Sequence, residues 1–281
     1  MLRLSRYDFV LVHRETTPIG PPIFEWLISK VLKKKIIFDF DDAIWMNDGH
    51  DSVISWWLKS RWKIQKICQW SWKVSAGNEF LADYARQYCR QVEVIPTVVD
   101  TEVHKNSKFK IQNSKPIIGW TGSHSTLFYL DSIIPIIQEL QKDYDFEFMV
   151  IANKNPELPL KKFRFTKWCK ESEIDDLEQI DIGIMPLEDT EWAKGKCGFK
   201  LIQYGALEIP SVASPVGVNR QIIEHGVNGF LAETAMEWKE SLRNLLEDEH
   251  LRKKIGKAAR TKIENDYSVR AYQNSFIELF R

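Results

Sequence analysis

The sequence lacks the features that mark several classes of protein. Its 281 residues include four cysteines at spacings typical of neither a disulfide framework nor a zinc site: Cys68, Cys89, Cys169 and Cys197. No apolar run approaches the roughly 20 residues that a membrane-spanning helix needs. Charged residues interrupt the N-terminal segment too early for a signal peptide. These absences predict a cytoplasmic protein with reduced thiols.

The sequence also has no excess of charge of either sign. Lysine plus arginine and aspartate plus glutamate number 39 each, so the formal net charge is zero. A balanced charge argues against a general nucleic-acid binder, and we expect no nucleic-acid partner. The hydrophobic content of 44% and the charged content of 28% are typical of globular proteins. At this length the chain can form two modest domains.

Apolar, strand-like segments alternate with amphipathic helical segments along the chain. This alternation predicts an α/β protein with parallel sheets. The apolar periodicity fades in the polar segment 104–116, where lysine, asparagine and serine dominate. We therefore predict a first domain over 1–104, a second over 105–265 and a terminal helix over 266–281.

Segment 195–217, GKCGFKLIQYGALEIPSVASPVG, is the first candidate phosphate site. It follows a predicted buried strand and opens a helix, so free backbone N–H groups and the positive helix end would point at a phosphate. Lys196 and Lys200 add positive charge. Lys200 and Gln203 lie three residues apart on one helical face, which suits a diphosphate and a neighbouring ribose. The alternative is a surface loop with solvated lysines.

A second candidate phosphate site is GWTGSHST, residues 119–126. Gly122 permits a close backbone approach, Ser123 offers a hydroxyl, and His124 can donate to a phosphate oxygen. A strand-to-helix turn with an N-cap serine explains the same residues. Both candidate loops follow strands of one predicted parallel sheet, so they are expected to converge at one edge of it.

An acidic cluster ends the predicted strand in FDFDDAIW, residues 38–45. Asp39, Asp41 and Asp42 repel one another there, and such crowding calls for a cation, a ligand or solvent. The alternative is a pair of helix N-cap residues. We expect Asp41 and Asp42 to have a catalytic role.

A long helix is predicted over 52–73, with an apolar side and a second, mixed side. The second side consists of Trp56, Lys59, Lys63, Lys66, Ile67 and Trp70. Lysines between tryptophans suit the headgroups of an anionic membrane. Packing against another part of the protein, with lysine stems covering the rings, is the alternative.

The segment GFKLIQYGALEIPSVASPVGVNRQIIEHGVNGFLAE, residues 198–233, resembles the nucleotide-sugar signature of retaining glycosyltransferase family 4, the group 1 transferases with a GT-B fold. The resemblance extends from about residue 7 to the C-terminus. It implies two Rossmann-like domains with parallel sheets in a GT-B arrangement. The family's first domain opens with a strand and a Gly-rich loop that have no match here. We therefore expect an incomplete first domain, completed by self-association or by a partner chain.

The resemblance also implies roles for the parts of the chain. The first domain would be the acceptor side, the second the nucleotide-sugar domain, and the terminal helix would cross back to the first. Many relatives carry two glutamates eight positions apart, and Gly195 and Gln203 occupy those positions here. Asp41 aligns with a histidine that faces the donor sugar in relatives. The expected donor-binding residues are Gly119, Thr121, Gly122, Ser123, His124, Trp168, Lys196, Gly198, Phe199, Lys200 and Gln203.

The activity that the resemblance implies is transfer of a sugar, with retention, from a UDP- or GDP-linked donor. The acceptor would be a glycan or a lipid-linked glycan, in bacterial surface-polysaccharide assembly at the inner face of the cytoplasmic membrane. We expect no metal and no cofactor, because helix ends and lysines hold the diphosphate in GT-B enzymes. Two alternatives are a nucleotide- or sugar-binding partner without catalysis and a GT-B nucleotide-sugar epimerase.

Overall fold

A computed structural model describes residues 4–46, 60–105, 115–160 and 162–281. The chain forms two compact units. The first unit comprises Met1–Thr97, Thr190–Cys197 and Tyr272–Arg281, and the second comprises Val98–Asp189 and Gly198–Ala271.

Ten strands and eleven α-helices make up these units in the described residues. The strands are β1 Phe9–His13, β2 Lys35–Phe40, β3 Lys73–Ala76, β4 Val92–Val94, β5 Ile117–Gly122, β6 Glu147–Ala152, β7 Arg164–Lys167, β8 Ile182–Met185, β9 Ser211–Ala213 and β10 Phe230–Leu231. The helices are α1 Ile23–Trp26, α2 Lys63–Trp70, α3 Glu79–Arg86, α4 Ile134–Asp143, α5 Glu173–Glu178, α6 Glu191–Lys194, α7 Phe199–Ala206, α8 Asn219–Ile222, α9 Ala235–Glu247, α10 Glu249–Asp266 and α11 Val269–Glu278.

Each unit contains one fully parallel sheet. The sheet of the first unit has the order β1-β2-β3-β4, and that of the second has the order β10-β9-β8-β5-β6-β7. The strand interiors are almost wholly apolar, as expected for parallel sheets that are covered on both faces. Ile36, Ile37 and Phe38 of β2 and Ile182 and Ile184 of β8 are fully buried. The predicted α/β class with two Rossmann-like parallel sheets is confirmed.

The second unit has an apolar core on each face of its sheet. One core joins inward side chains of β5 and β6 to α4, α9 and Ile255 of α10. The other joins the opposite side chains of these strands to α7, α8 and Ile263 of α10. Helix α7 therefore packs on the face opposite to α4, and its first residue follows Gly198 directly.

The long helix predicted over 52–73 differs from the structure. Its described part is α2, which ends at Trp70, because Ser71 is extended and Lys73 already belongs to β3. Lys63 and Ile67, assigned to the mixed exposed side, are buried at 2% and 0% exposure. Buried Lys63 is neutralised by Glu15, with Nζ 2.7 Å from Oε2, and donates to the carbonyl of Thr17.

Only part of that predicted face is therefore exposed. Lys66 and Trp70 are half-buried, whereas Trp56 and Lys59 lie outside the described residues. No helix in the described ranges is long and apolar enough to cross a membrane.

The predicted domain linker 104–116 lies mostly outside the described residues, which resume at Lys115. Residues 272–281, in the predicted terminal helix segment, group with the first unit. Within that unit Lys73 donates to the carbonyl of Glu278, and the rings of Phe9 and Phe280 lie 5.8 Å apart. The assignment of the units as acceptor side and donor side stays a prediction.

Candidate functional site

The first unit gathers polar side chains where its strands end. Arg14 follows β1, Asp41 and Asp42 follow β2, and Asn78 comes two residues after β3. Because all three strands are parallel, these residues share the carboxyl edge of the sheet, where ligands of open α/β sheets bind.

Arg14 lies in the left-handed backbone region, with φ at 58°. Its Nε donates to Asp41 Oδ1 at 2.7 Å, and an outer guanidinium nitrogen donates to Asp42 Oδ2 at 3.3 Å. Lys196 places its ammonium 3.5 Å from the other oxygen of Asp42. His13 lies 2.7 Å from Asp39. The repulsion expected between Asp41 and Asp42 is thus relieved by Arg14 and Lys196, which are side chains of the chain itself.

Burial and hydrogen bonding shift the pKa of three groups in this cluster. Burial raises the pKa of Asp42, and the charges of Lys196 and Arg14 oppose that effect only in part. The hydrogen bond to Asp41 raises the pKa of Arg14, which keeps the guanidinium charged. Burial also raises the pKa of the Cys197 thiol to about 12, so at neutral pH this group is a protonated donor. It donates to the carbonyl oxygen of Asp41 at 2.8 Å.

The loop Gly195 to Cys197, here called the lysine loop, is built into the first unit. The sequence placed it in domain 105–265, but its backbone carbonyls accept from Asn78 and its thiol bonds to Asp41. These contacts join residues more than 100 positions apart, which sequence periodicity does not detect. Lys196 also lies over the Trp192 ring, with Nζ 4.8 Å from the centroid.

Gly195 has no room for a side chain. Its backbone has φ at −73°, which suits any residue, but a Cβ there would lie 2.6 Å from the Cβ of Ala43 and 3.2 Å from its nitrogen. Position 195, where the family resemblance would place a carboxylate, therefore lies in close contact with the residue after Asp42.

In the second unit one tyrosine joins the two candidate phosphate segments. The buried Tyr204 hydroxyl accepts from the N–H of Thr121 at 3.2 Å and donates to the carbonyl of Gly119 at 3.4 Å. Trp120 lies in β5 between Gly119 and Thr121. The Lys200 ammonium of α7 lies 5.3 Å from the centroid of its ring. The end of β5 and the first turns of α7 therefore meet, as the order of strands in one sheet predicts.

The residues predicted in α7 divide into buried and exposed ones. Gly198, with φ at 68°, precedes the helix and has no side chain to cap it. Gln203 is 2% exposed, and its Nε2 has no hydrogen-bond partner among the described residues. Phe199, one of the expected donor-binding residues, is exposed, whereas Ile202 is buried.

The GWTGSHST segment differs from the predicted loop at two points. Gly119 is buried inside β5, and the space of its missing side chain is filled by Ile180, so it supports packing. Ser123 occupies the N-cap position without a capping hydrogen bond from its side chain; its hydroxyl instead lies 2.9 Å from that of Ser125. The exposed His124 donates its backbone N–H to Asn153.

Trp168, predicted to flank the nucleotide base or to lie in the core, is not a core residue. Its side chain is 42% exposed, and its indole N–H donates to Glu173 at 3.0 Å. It follows β7 directly, so it too lies at the carboxyl edge of the second sheet.

Within the part of the chain that the structure describes, no group of three or more His, Cys, Asp or Glu side chains could hold a metal ion.

Sequence reasoning missed Arg14, Asn78 and Tyr204. Arg14 had a usable signal, because it lies near the end of a strand-like segment, 7–15, at the edge where the acids lie. Asn78 had a weaker signal as an Asn before a helix, which predicts a cap but not the contacts of its amide nitrogen. Nothing in the sequence marks Tyr204, whose role depends on the packing of α7 against β5 and β8.

Residues 115–248 match the family model described as Glycosyl transferases group 1. This part of the chain is similar to group 1 glycosyltransferases. The match covers most of the second unit and includes Tyr204, Lys200 and Gln203. The match supports a glycosyltransferase assignment for this part of the chain.

Solved glycosyltransferase structures share the fold of nearly the whole chain. Sucrose-phosphate synthase from Thermosynechococcus elongatus has a TM-score of 0.74 at 11% identity, over 98% of this chain and 73% of its own. Anabaena HepE in complex with UDP and glucose has a TM-score of 0.76 at 14% identity, over 99% and 79%. A glycosyltransferase from Rickettsia africae has 0.72 at 16% identity, over 99% and 77%. These likenesses show a GT-B type of fold. No curated protein sequence matches the chain.

Proposed function

We propose that this enzyme transfers a sugar from a UDP- or GDP-linked donor to a glycan or lipid-linked acceptor, with retention, in bacterial surface-polysaccharide assembly. The observation that carries the proposal is the junction of the GWTGSHST segment with α7 inside the part of the chain that is similar to group 1 glycosyltransferases. Anabaena HepE, which is similar in fold, is described in complexes with UDP and with UDP-glucose.

The donor diphosphate would bind at the start of α7. The N-terminal end of this helix, which no side chain caps, and the Lys200 ammonium would supply positive charge there without a metal. The buried Gln203 amide has a hydrogen-bond donor that no described residue accepts, and a ribose hydroxyl is an acceptor of the right kind. A neutral amide would here replace the carboxylate of relatives.

The polar cluster of the first unit would act on the sugar and the leaving group. Glycosyl transfer passes through an oxocarbenium-like transition state while negative charge grows on the diphosphate, so fixed charges near both accelerate it. Asp41 and Asp42 would polarise or orient the sugar. Lys196, held by Asp42 and the Trp192 ring, would stabilise the leaving diphosphate.

A nucleotide panel tests the donor assignment. The melting temperature of the chain is measured with UDP, GDP, ADP and their glucose conjugates, and we expect a rise with one nucleotide class only. That nucleotide sugar is then incubated with candidate acceptors, and the anomeric configuration of the product is read by NMR. An inverted product contradicts retention, and an epimerised donor without transfer identifies an epimerase.

One observation favours a second function, that of a nucleotide-binding partner without catalysis. Both acids assigned to the sugar are already paired with Arg14 or Lys196, and Gly195 has no carboxylate. Nucleotide binding without transfer to any acceptor, by a chain that is fully folded, would select this alternative over the transferase.

Peripheral contact with an anionic membrane is a further proposal, and it places the protein at the inner face of the cytoplasmic membrane. It is supported by the exposed parts of Lys66 and Trp70, and by Trp56 as predicted from the sequence. The double variant Trp56→Ala/Trp70→Ala should sediment less with vesicles of phosphatidylglycerol and phosphatidylcholine, at an unchanged melting temperature. Equal sedimentation contradicts the contact.

We also propose that the first unit associates with a second copy or with a partner chain. Among the described strands β1 is an edge strand that pairs only with β2, and Leu11 in it is 45% exposed. Tyr7, Ile23 and Trp26 nearby in sequence are also exposed apolar side chains. An open edge with apolar neighbours favours association. Sedimentation velocity should show a larger species that Leu11→Lys reduces; a monomer at all concentrations contradicts self-association.

A further inference from the structure

Asn78 uses both ends of its side-chain amide. Its Oδ1 accepts from the N–H of Leu81 at 2.9 Å and so caps α3. Its Nδ2 donates to the backbone carbonyls of Gly195 and Lys196, at 3.3 and 3.2 Å. The side chain is 4% exposed, so these bonds are shielded from water. Asn78 thus connects the end of β3 to the backbone carbonyls on both sides of the Lys196 Cα.

Close packing holds the lysine loop on two further sides. A Cβ at Gly77 would lie 2.5 Å from the Cys197 sulfur and 3.1 Å from the Asp41 Cα, so the loop lies directly against the backbone there. The Cys197 thiol donates to the carbonyl of Asp41. The residues that follow β2 and β3 therefore enclose the loop. The side-chain amide of Asn78 donates the hydrogen bonds to the loop carbonyls.

We propose that Asn78 is a positioning residue: its amide holds the lysine loop so that the Lys196 ammonium is fixed at Asp42 for the transfer reaction. The catalytic part of this inference rests on the proposed function, in which Lys196 stabilises the leaving diphosphate. The structural part concerns the loop alone and is tested without activity.

The first experiment measures how often the loop opens, through the reactivity of Cys197. Both proteins carry Cys169→Ser, which removes the exposed thiol. Modification of Cys197 by iodoacetamide is followed by mass spectrometry, with Asn78 intact in one protein and Asn78→Ser in the other. Serine keeps the helix cap but is too short for the loop carbonyls. We expect Cys197 to react at least about tenfold faster in Asn78→Ser, because the hydrogen bonds to the carbonyls of Gly195 and Lys196 are lost, together with the 3.9 Å contact of Nδ2 with the Cys197 sulfur.

The matched control is Asn228→Ser in the second unit. Asn228 is also buried and also bonds through both ends of its amide, to the carbonyl of Ile222 and the N–H of Glu224. Its serine variant should lose stability to a similar degree, with Cys197 labelling within about twofold of wild type. If Asn78→Ser labels Cys197 no faster than this control, Asn78 is only a helix cap and the proposal is wrong.

The second experiment compares kinetics. Asn78→Ser should lower kcat and kcat/KM for the donor together, with KM unchanged, as expected for a contact made in the transition state. Because Asn78 acts through Lys196, the double variant Asn78→Ser/Lys196→Ala should be no slower than Lys196→Ala alone. Additive losses, or faster labelling with unchanged kcat, would overturn the positioning role. A wild-type chain that transfers no sugar would contradict the proposed function, while the labelling result still decides whether Asn78 holds the loop.

Discussion

The contact between Gly195 and Ala43 gives a prediction that can be worked out from the structure. In Gly195→Ala the added Cβ would lie 2.6 Å from the Ala43 Cβ and 3.2 Å from the Ala43 nitrogen, both shorter than ordinary contacts. Ala43 is fully buried, so neither side can move into solvent. Overpacking of this kind costs about 1–3 kcal/mol. We expect the melting temperature to fall by several degrees, as measured by scanning calorimetry.

A second substitution tests whether this contact is the cause. Ala43→Gly removes the shorter of the two contacts, so the double variant Gly195→Ala/Ala43→Gly should be more stable than the sum of the single variants predicts. We expect a favourable coupling energy of about 0.5–3 kcal/mol from the double-mutant cycle. Gly20→Ala is the control, because Gly20 lies in the same unit with φ at 83° and open space around its Cβ position. The loss in free energy of unfolding from Gly20→Ala should add to the loss from Ala43→Gly, with no coupling energy between them.

The result that would refute the reasoning is a Gly195→Ala variant as stable as wild type. The lysine loop would then have room for a side chain, and the absence of the carboxylate would have no steric cause. If the cycle with Ala43→Gly shows no coupling although Gly195→Ala is destabilised, the loss arises elsewhere in the loop.

Three further predictions concern the charged residues of the two units. Lys200→Ala should weaken binding of the selected nucleotide by more than about tenfold in calorimetric titrations, whereas Lys253→Ala, an exposed lysine paired with Glu249, should not. Asp41→Asn should lower the turnover number and leave nucleotide affinity nearly intact; unchanged turnover would contradict its role. Because burial raises the pKa of Asp42, its ionised form is disfavoured in the folded state. Asp42→Asn should therefore melt at a higher temperature than wild type at pH 7, and the difference should vanish as the pH falls below the ordinary aspartate pKa.

The sequence predicted those features that depend on short stretches of chain. Alternating strands and helices indicated parallel sheets, and the carboxyl end of β2 was identified by its acids. The start of α7 was identified from Gly198 and Lys200. Each of these rests on residues within a few positions of one another.

The features that it missed depend on contacts between distant segments. Arg14 and Asp41 are 27 residues apart, and Asn78 and Gly195 are 117 apart. Spacing rules describe one element at a time, so they could not show which cation neutralises which acid. Lys63 shows the same limit: its position on the helix suggested a face for membrane headgroups or for packing, but it did not show the ion pair with Glu15, in the loop after β1.

The composition of the first unit has a consequence for the order in which the protein folds. Its sheet is encoded within the first 97 residues, yet its core also receives residues 190–197 and 272–281. Lys73 and Glu278 are 205 positions apart, and Phe9 contacts Phe280. During synthesis the early strands must wait for these late segments, while most of the second unit emerges as one stretch and can fold first. A nascent chain stalled before residue 272 should therefore carry a protease-resistant second unit behind a protease-sensitive first one.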